Sequence, residues 1–523
     1  MKQTLRKEKM VQKWGVLLLL LMIPAMAWSQ KKGASAPARP AARPSGGGQS
    51  HPAAGGQHPA AGGQHPAAAG HTAGGSHPAA GGHTAGGSHP AAGGHTAGGS
   101  HSAAAHGSTH SPAGTRNVSM KGGGHASVRS NGSVRSADRN GHHVERGLHG
   151  GRSSMHDRGH GERTFAGRHG GYVQHAYMNR GGHAFYSRTY VVGGVVHVGV
   201  YQGYFWGGRS YYGWYPGFYY APAFYGWGFQ PWGVPVAWGV SAWGWGGPWW
   251  GFYGGWFTPY PVYAAPYFWL TDYLIAANLQ AAYAAAHEPP PAGEPAPAAD
   301  AAATTDSAST DTSSTTTTST AVTLTPEVKQ AIAEEVKAQL AAQQAQASTA
   351  STTTAAASTT STTTTATTDT TPPAALDPAK RTFVVDTDVT AVNSGAECGL
   401  TSGDVVTRLT DTPDATDNTV NASVSATKKG DCPSGATVAV KVDDLQEMYN
   451  HFQEKLSDGM SDMAKKQGTN GMPKAPDTKT TASDVPTPKA DPDAAKDIKD
   501  ENADADKVEA DVKAEATAPG GGL

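Results

Sequence analysis

Charge and cysteine are scarce in this 523-residue chain: charged residues make up 16%, and the two cysteines are Cys398 and Cys432. So few cysteines exclude a disulfide-dense miniature scaffold and a four-cysteine zinc site. Hydrophobic residues are also short, at 38%, while Gly reaches 67 and Pro 35. Tracts of that kind bury too little apolar surface to offset the entropy of ordering them. The expected fold class is therefore a mostly disordered, low-complexity chain with limited folded parts. Long apolar runs are missing too. The run at residues 16–23 is well short of the ~20 residues of a membrane-spanning helix, and Pro24 ends it. No motif frames a nucleophile with a base and an acid, so no catalytic residue is assigned and an enzyme is the least supported class.

What is present begins with a targeting pattern. Lys2, Arg6, Lys7, Lys9 and Lys13 precede the apolar run, and Ala25-Met26-Ala27 follows it. Residues 1–27 read as a cleaved signal peptide. The expectation is export to the periplasm, outer envelope or exterior, with no transmembrane helix after cleavage. An isolated cysteine pair in an exported chain is expected to form a disulfide, Cys398–Cys432.

Residues 28–183 read as disordered, first rich in His, Gly, Ala and Pro and then in Arg and Gly. His51, His58 and His65 are seven apart, and His71, His77, His83, His89, His95 and His101 continue at intervals of six. No repeat unit carries a large apolar residue, so stacking the units would bury nothing. These nine imidazoles are weak candidates for Zn²⁺, Ni²⁺ or Cu²⁺, because a flexible chain gathers rings without fixing a geometry. A pH-responsive polyelectrolyte and a plain spacer are the other readings. No cofactor is expected. Residues 116–188 carry twelve basic side chains against four acidic ones, and residues 474–515 carry seven against twelve. Head and tail could attract each other or a neighbouring copy; solvated disorder of both is the simpler expectation. Behind a signal peptide the basic part would meet polyanions or lipid headgroups rather than nucleic acid.

Residues 184–288 form an aromatic, Gly-rich segment. Between Tyr201 and Trp269, thirty of sixty-nine residues are Phe, Trp or Tyr, fifteen are Gly and only Arg209 is charged. Two β-prone runs around Gly193-Gly194 predict a hairpin, with structure starting near Ala184. Gly and Pro every few residues exclude a regular helix in the aromatic stretch. A helix follows over residues 267–286, capped by Thr271 or Asp272. A Thr/Ser/Ala linker, 289–375, contains a second helix at 326–345, with Thr325 as cap and Pro326 first. Its thin stripe of Val328, Ile332, Val336 and Leu340 suits a solvated helix or a self-association handle.

Residues 376–467 read as a small α+β domain of four short strands closed by an amphipathic helix. Leu445, Met448, Phe452, Leu456, Met460 and Met463 line its apolar face. Within it, Ala396-Glu397-Cys398-Gly399-Leu400-Thr401-Ser402-Gly403-Asp404-Val405-Val406 resembles the PDZ family, where a turn ending in Gly-Leu leads through Gly-Asp into an apolar strand. The resemblance covers about residues 376–443 and implies a PDZ-like topology and a protein partner for 376–467. It transfers no binding residue. Residues 468–523 read as a disordered acidic tail. As a whole the chain also resembles exported bacterial proteins with Gly/Tyr/Trp-rich middles.

Together these features predict a non-enzymatic cell-envelope or extracellular structural or interaction protein. Its aromatic segment would touch envelope polysaccharide, a lipid interface or other copies, or else pack as a core without a partner. A PDZ-like binding module and a His-rich metal buffer are the alternatives.

Overall fold

Five two-residue turns, Asn140-Gly141, His160-Gly161, Gly181-Gly182, Gly193-Gly194 and Gly207-Gly208, hold both residues at positive φ. That geometry matches the twist of paired strands and makes tight hairpins. In the computed structural model these turns belong to a ten-stranded antiparallel meander, each strand paired with the next. Its strands are β1 (Thr115–Ser119), β2 (His125–Arg129), β3 (Val134–Arg139), β4 (His142–Arg146), β5 (Arg152–Gly159), β6 (Glu162–Gly167), β7 (Gly170–Arg180), β8 (His183–Val192), β9 (Val195–Trp206) and β10 (Arg209–Tyr215). The structure describes residues 112–148, 151–167, 170–287, 323–353, 371–428 and 431–517. All of them lie in one compact unit, His95–Leu523.

The aromatic stretch continues through β11 (Phe218–Tyr220) and three short helices, α1 (Pro222–Phe229), α2 (Val240–Trp243) and α3 (Pro248–Tyr253). Two long helices follow, α4 (Pro266–His287) and α5 (Pro326–Thr353). A second sheet holds β12 (Thr382–Val384), β13 (Val389–Asn393), β14 (Ala396–Leu400), β15 (Val405–Arg408), β16 (Thr419–Ala426) and β17 (Thr437–Lys441). Its order is β12-β15-β16-β17-β13-β14, antiparallel throughout. Then come α6 (Val442–Lys466), β18 (Thr480–Ala482) and α7 (Ala494–Thr517).

The meander is polar in sequence although protein covers part of both its faces. Side chains alternate along a strand, so His142, Val144 and Arg146 of β4 face α7, whereas His143 and Glu145 face the second sheet and α6. Small apolar residues fill the α7 side. Val118, Val128, Val134, Ala137 and Val144 pack on Ala505, Val508 and Val512, and Ala166 and Val173 pack on Ala494 and Ile498. Acid–base pairs flank this thin core: Arg146–Glu509 at 2.9 Å, Arg139–Asp511 at 2.5 Å, His175–Asp491 at 2.9 Å, and Arg152–Asp506. β18 pairs with β11 and leads the tail onto the sheet.

Helix α6 joins the other layers. Leu445 and Met448 enter the core of the second sheet with Phe383, Val438 and Val440. Phe452, Leu456, Met460 and Met463 enter the aromatic core with Trp269, Leu270 and Leu340.

Several expectations need correction. The described residues are already sheet from Thr115 onward, well before Ala184, so the later part of 28–183 is sheet, not disorder. The acidic tail is a strand and a helix bound to that sheet. Its partner is the basic head, as opposite charge allows. Residues 376–467 carry six strands rather than four, and they share α6 with the rest of the molecule instead of forming a separate small domain. The aromatic stretch does contain helix, in pieces of eight residues or fewer with Pro222 and Pro248 in first turns. Helix α4 begins at Pro266, so neither Thr271 nor Asp272 caps it. Helix α5 is not a solvated rod: Ile332, Val336 and Leu340 are fully buried in the aromatic core. The hairpin at Gly193-Gly194 and the Thr325 cap on Val328, at 3.4 Å, agree with the sequence.

Candidate functional site

The aromatic stretch turns mostly inward. Trp238, Phe257, Tyr263 and Trp269 are at most 1% exposed, and Trp243 is stacked between Trp245 at 4.5 Å and Trp269 at 4.3 Å. A polar post stands inside this core. Asp272 of α4 meets Lys329 of α5 at 2.8 Å and accepts from the Tyr263 hydroxyl at 2.7 Å and the Tyr260 backbone N–H at 2.6 Å. Lys329 also donates to the Thr258 carbonyl at 2.8 Å and lies 3.7 Å from the centre of the Tyr260 ring. Burial raises the Asp272 pKa despite Lys329, and burial lowers that of Lys329 despite Asp272.

Not all of the segment is covered. Among the described residues, most of the large apolar side chains that stand exposed, Val192, Val195, Val196, Phe205, Phe218, Val234, Phe252 and Val262, come from one stretch of chain, with Leu148 and Leu409 outside it. Val195 is 66% exposed, Val234 74% and Phe252 62%. Val192, Val195 and Val196 flank the Gly193-Gly194 turn and form the apolar tip of the long β8–β9 hairpin.

The second site-like feature lies between the meander and α6. Spacing of three and four puts Asp444, Glu447, His451 and Glu454 on one side of α6, opposite its apolar stripe. They face Arg188, Tyr190, His197 and Tyr201 of β8 and β9. Arg188, wholly buried, donates to both oxygens of Glu447 at 2.7 and 2.9 Å and to Gln174 at 2.6 Å. Its guanidinium sits 4.4 Å from the Tyr172 ring centre and 3.9 Å from that of Tyr201. Tyr201 donates to Glu454 and shares a 2.6 Å hydrogen bond with Tyr190, whose ring stacks on His197 at 4.6 Å. At the far end Lys441 pairs with Glu145 at 3.2 Å, and His143 with Asp138 at 2.7 Å.

Protein walls this interlayer, with Arg188 and Tyr201 wholly buried, and the proton affinities of its side chains follow. Burial pushes the carboxyls of Asp386, Asp444 and Glu454 up to about 7, with neighbouring carboxylates adding to the effect. Burial pushes His451 down to about 3. For His143 burial opposes the charge, but Asp138 and Glu145 outweigh it and raise the imidazole to about 9. Burial also opposes the charge of Glu145, and Lys441 and His143 overcome it, holding the group far below the carboxylate range.

Of the residues singled out in the sequence, Cys398 and Cys432 are joined in a disulfide, with Cα atoms 4.9 Å apart. His51, His58, His65, His71, His77, His83, His89, His95 and His101 lie outside the described residues. The segment resembling the PDZ family is strand β14, a turn and strand β15. The interlayer groups escaped sequence reading because they come from distant segments; the polar stripe at 444, 447, 451 and 454 is the one signal that could have pointed to them. Among the described residues no helix is long and apolar enough to cross a membrane. No family model matches the chain, and the searches of curated proteins and of solved structures gave no match.

Proposed function

We propose that this chain is an exported, non-enzymatic structural or interaction protein of the cell envelope, with the aromatic segment as its contact element. One observation carries the reading: the exposed large apolar side chains are concentrated in residues 192–262. The remaining rings of that segment form a rigid base that presents these residues without a large ordering cost. Exposed apolar side chains of this kind suit lipid interfaces, sugar rings or another copy of the chain.

The test uses the full chain in its native cell. Fractionation is followed by retention on envelope material, comparing wild type with the variant Val195→Ser/Val196→Ser/Phe252→Ser. Wild type should be retained and the variant released. Recovery of wild type only in a soluble fraction, with nothing held by the envelope, would remove the reading.

A further inference from the structure

The hairpin register of β4 and β5 places His142 directly opposite His156. Both side chains point to the α7 face. Their rings stack at 3.8 Å with 28° between planes. Glu501 of α7 inserts its carboxylate beside them, 3.1 Å from His142 Nδ1 and 3.7 Å from His156 Nδ1. The three ligand-type atoms all lie within 4.8 Å of one another. In a tetrahedral site with metal–ligand bonds of ~2.0–2.1 Å, the ligand atoms sit ~3.3 Å apart. The observed spacings bracket that value.

We propose that His142, His156 and Glu501 bind one divalent transition-metal ion of the Zn²⁺ class, which clips the C-terminal helix to the meander. Two imidazoles and a carboxylate form a donor set suited to such ions rather than to Ca²⁺ or Mg²⁺. The Glu501 side chain is 2% exposed, and a carboxylate so far from water needs positive charge beside it. Ser154 donates to Glu501 and orients it, the outer-shell arrangement typical of metal-binding carboxylates. Asp504 is one helical turn further along α7, close enough for its charge to act on both imidazoles. This site differs from the His-rich repeat in having a geometry fixed by strand register and by a helix contributed from hundreds of residues away.

The full chain, stripped of metal, would be titrated with Zn²⁺, and separately with Co²⁺ to follow the visible bands of tetrahedral coordination. Wild type should show one tight site above the weaker binding of the repeat. His142→Ala/His156→Ala should lose that ion alone, and Ser154→Ala should weaken it by about 10–100-fold. Tryptic cleavage at Lys499 and Lys507 gives a second readout, with near-UV dichroism of the tryptophan core confirming that each variant folds. Zn²⁺ should slow this cleavage in wild type and leave it unchanged in the double variant. Equal tight-site binding in both proteins, or wild-type cleavage indifferent to Zn²⁺, would overturn the proposal.

Discussion

Arg188 of the meander and Glu447 of α6 hold the two layers together through a two-pronged ion pair, with nitrogen–oxygen distances of 2.7 and 2.9 Å. The two partners are not equivalent. The Arg188 side chain is wholly buried, whereas that of Glu447 is 37% exposed. Removing Glu447 strands a buried cation, while removing Arg188 leaves a carboxylate that water can reach. Glu447→Ala should therefore destabilise by about 2–4 kcal/mol, a figure reduced for screening on the Glu447 side, and Arg188→Met by less. Urea unfolding of both variants checks the order. A larger loss for Arg188→Met would mean that ring packing, not charge, dominates there.

Stability should fall in two steps, through the carboxyls between about pH 4 and 7 and through His143 between pH 6.5 and 9. A carboxyl whose folded pKa is raised holds its proton more tightly in the folded chain. Its contribution is complete at low pH and is lost as the pH climbs through about 7, as for Asp386, Asp444 and Glu454. His143, raised to about 9, contributes fully below its ordinary 6.5 and loses that contribution as the pH passes 9. His451, depressed to about 3, acts oppositely, but only below 6.5. Thermal midpoints should decline across both steps, and Glu454→Gln should flatten the slope between pH 4.5 and 7. A rising midpoint would contradict the assignment.

The Asp272–Lys329 pair is buried on both sides, at 0% and 6% side-chain exposure. Either Asp272→Asn or Lys329→Met alone should cost about 3–5 kcal/mol, because each leaves its partner charged in an apolar core. The double variant should recover part of that loss. Additive losses in a double-mutant cycle would show that the groups act independently.

Reduction of Cys398–Cys432, which spans a separation of 34 residues, should cost about 3–4 kcal/mol on the loop-entropy account. Denaturant melts with and without reductant measure it. Because α6 joins the second sheet to the aromatic core, the loss should be read equally by tryptophan fluorescence and by far-UV dichroism. Separate transitions by the two probes would indicate that the second sheet unfolds alone.

Legibility followed local signals. Gly193-Gly194, the Thr325-Pro326 helix start, the α6 stripe and the cysteine pair are each decided by neighbours a few residues away, and each was readable. Strands β1 to β7 were not. They offer small apolar residues such as Val128, Ala137, Val144 and Ala166 among Arg, His and Ser, a pattern that looks solvated until a distant helix covers it. Asn140-Gly141 was a usable hairpin signal that the polar composition masked. The partners of Arg146 and Arg188, Glu509 and Glu447, lie 363 and 259 positions away, beyond any periodicity. Charge opposition between head and tail was visible, but its outcome depends on registration along a sheet.

The placement of α7 on the meander sets an order of events. Ribosomes make Ala494–Thr517 some 350 residues after strands that depend on it to shield one face. Until that helix is made, those strands present unshielded valines, a state prone to aggregation. Contacts so far apart in sequence also make for slow assembly. Loss of α7, whether by truncation before it or by proteolytic nicking, would therefore harm the distant meander strands first.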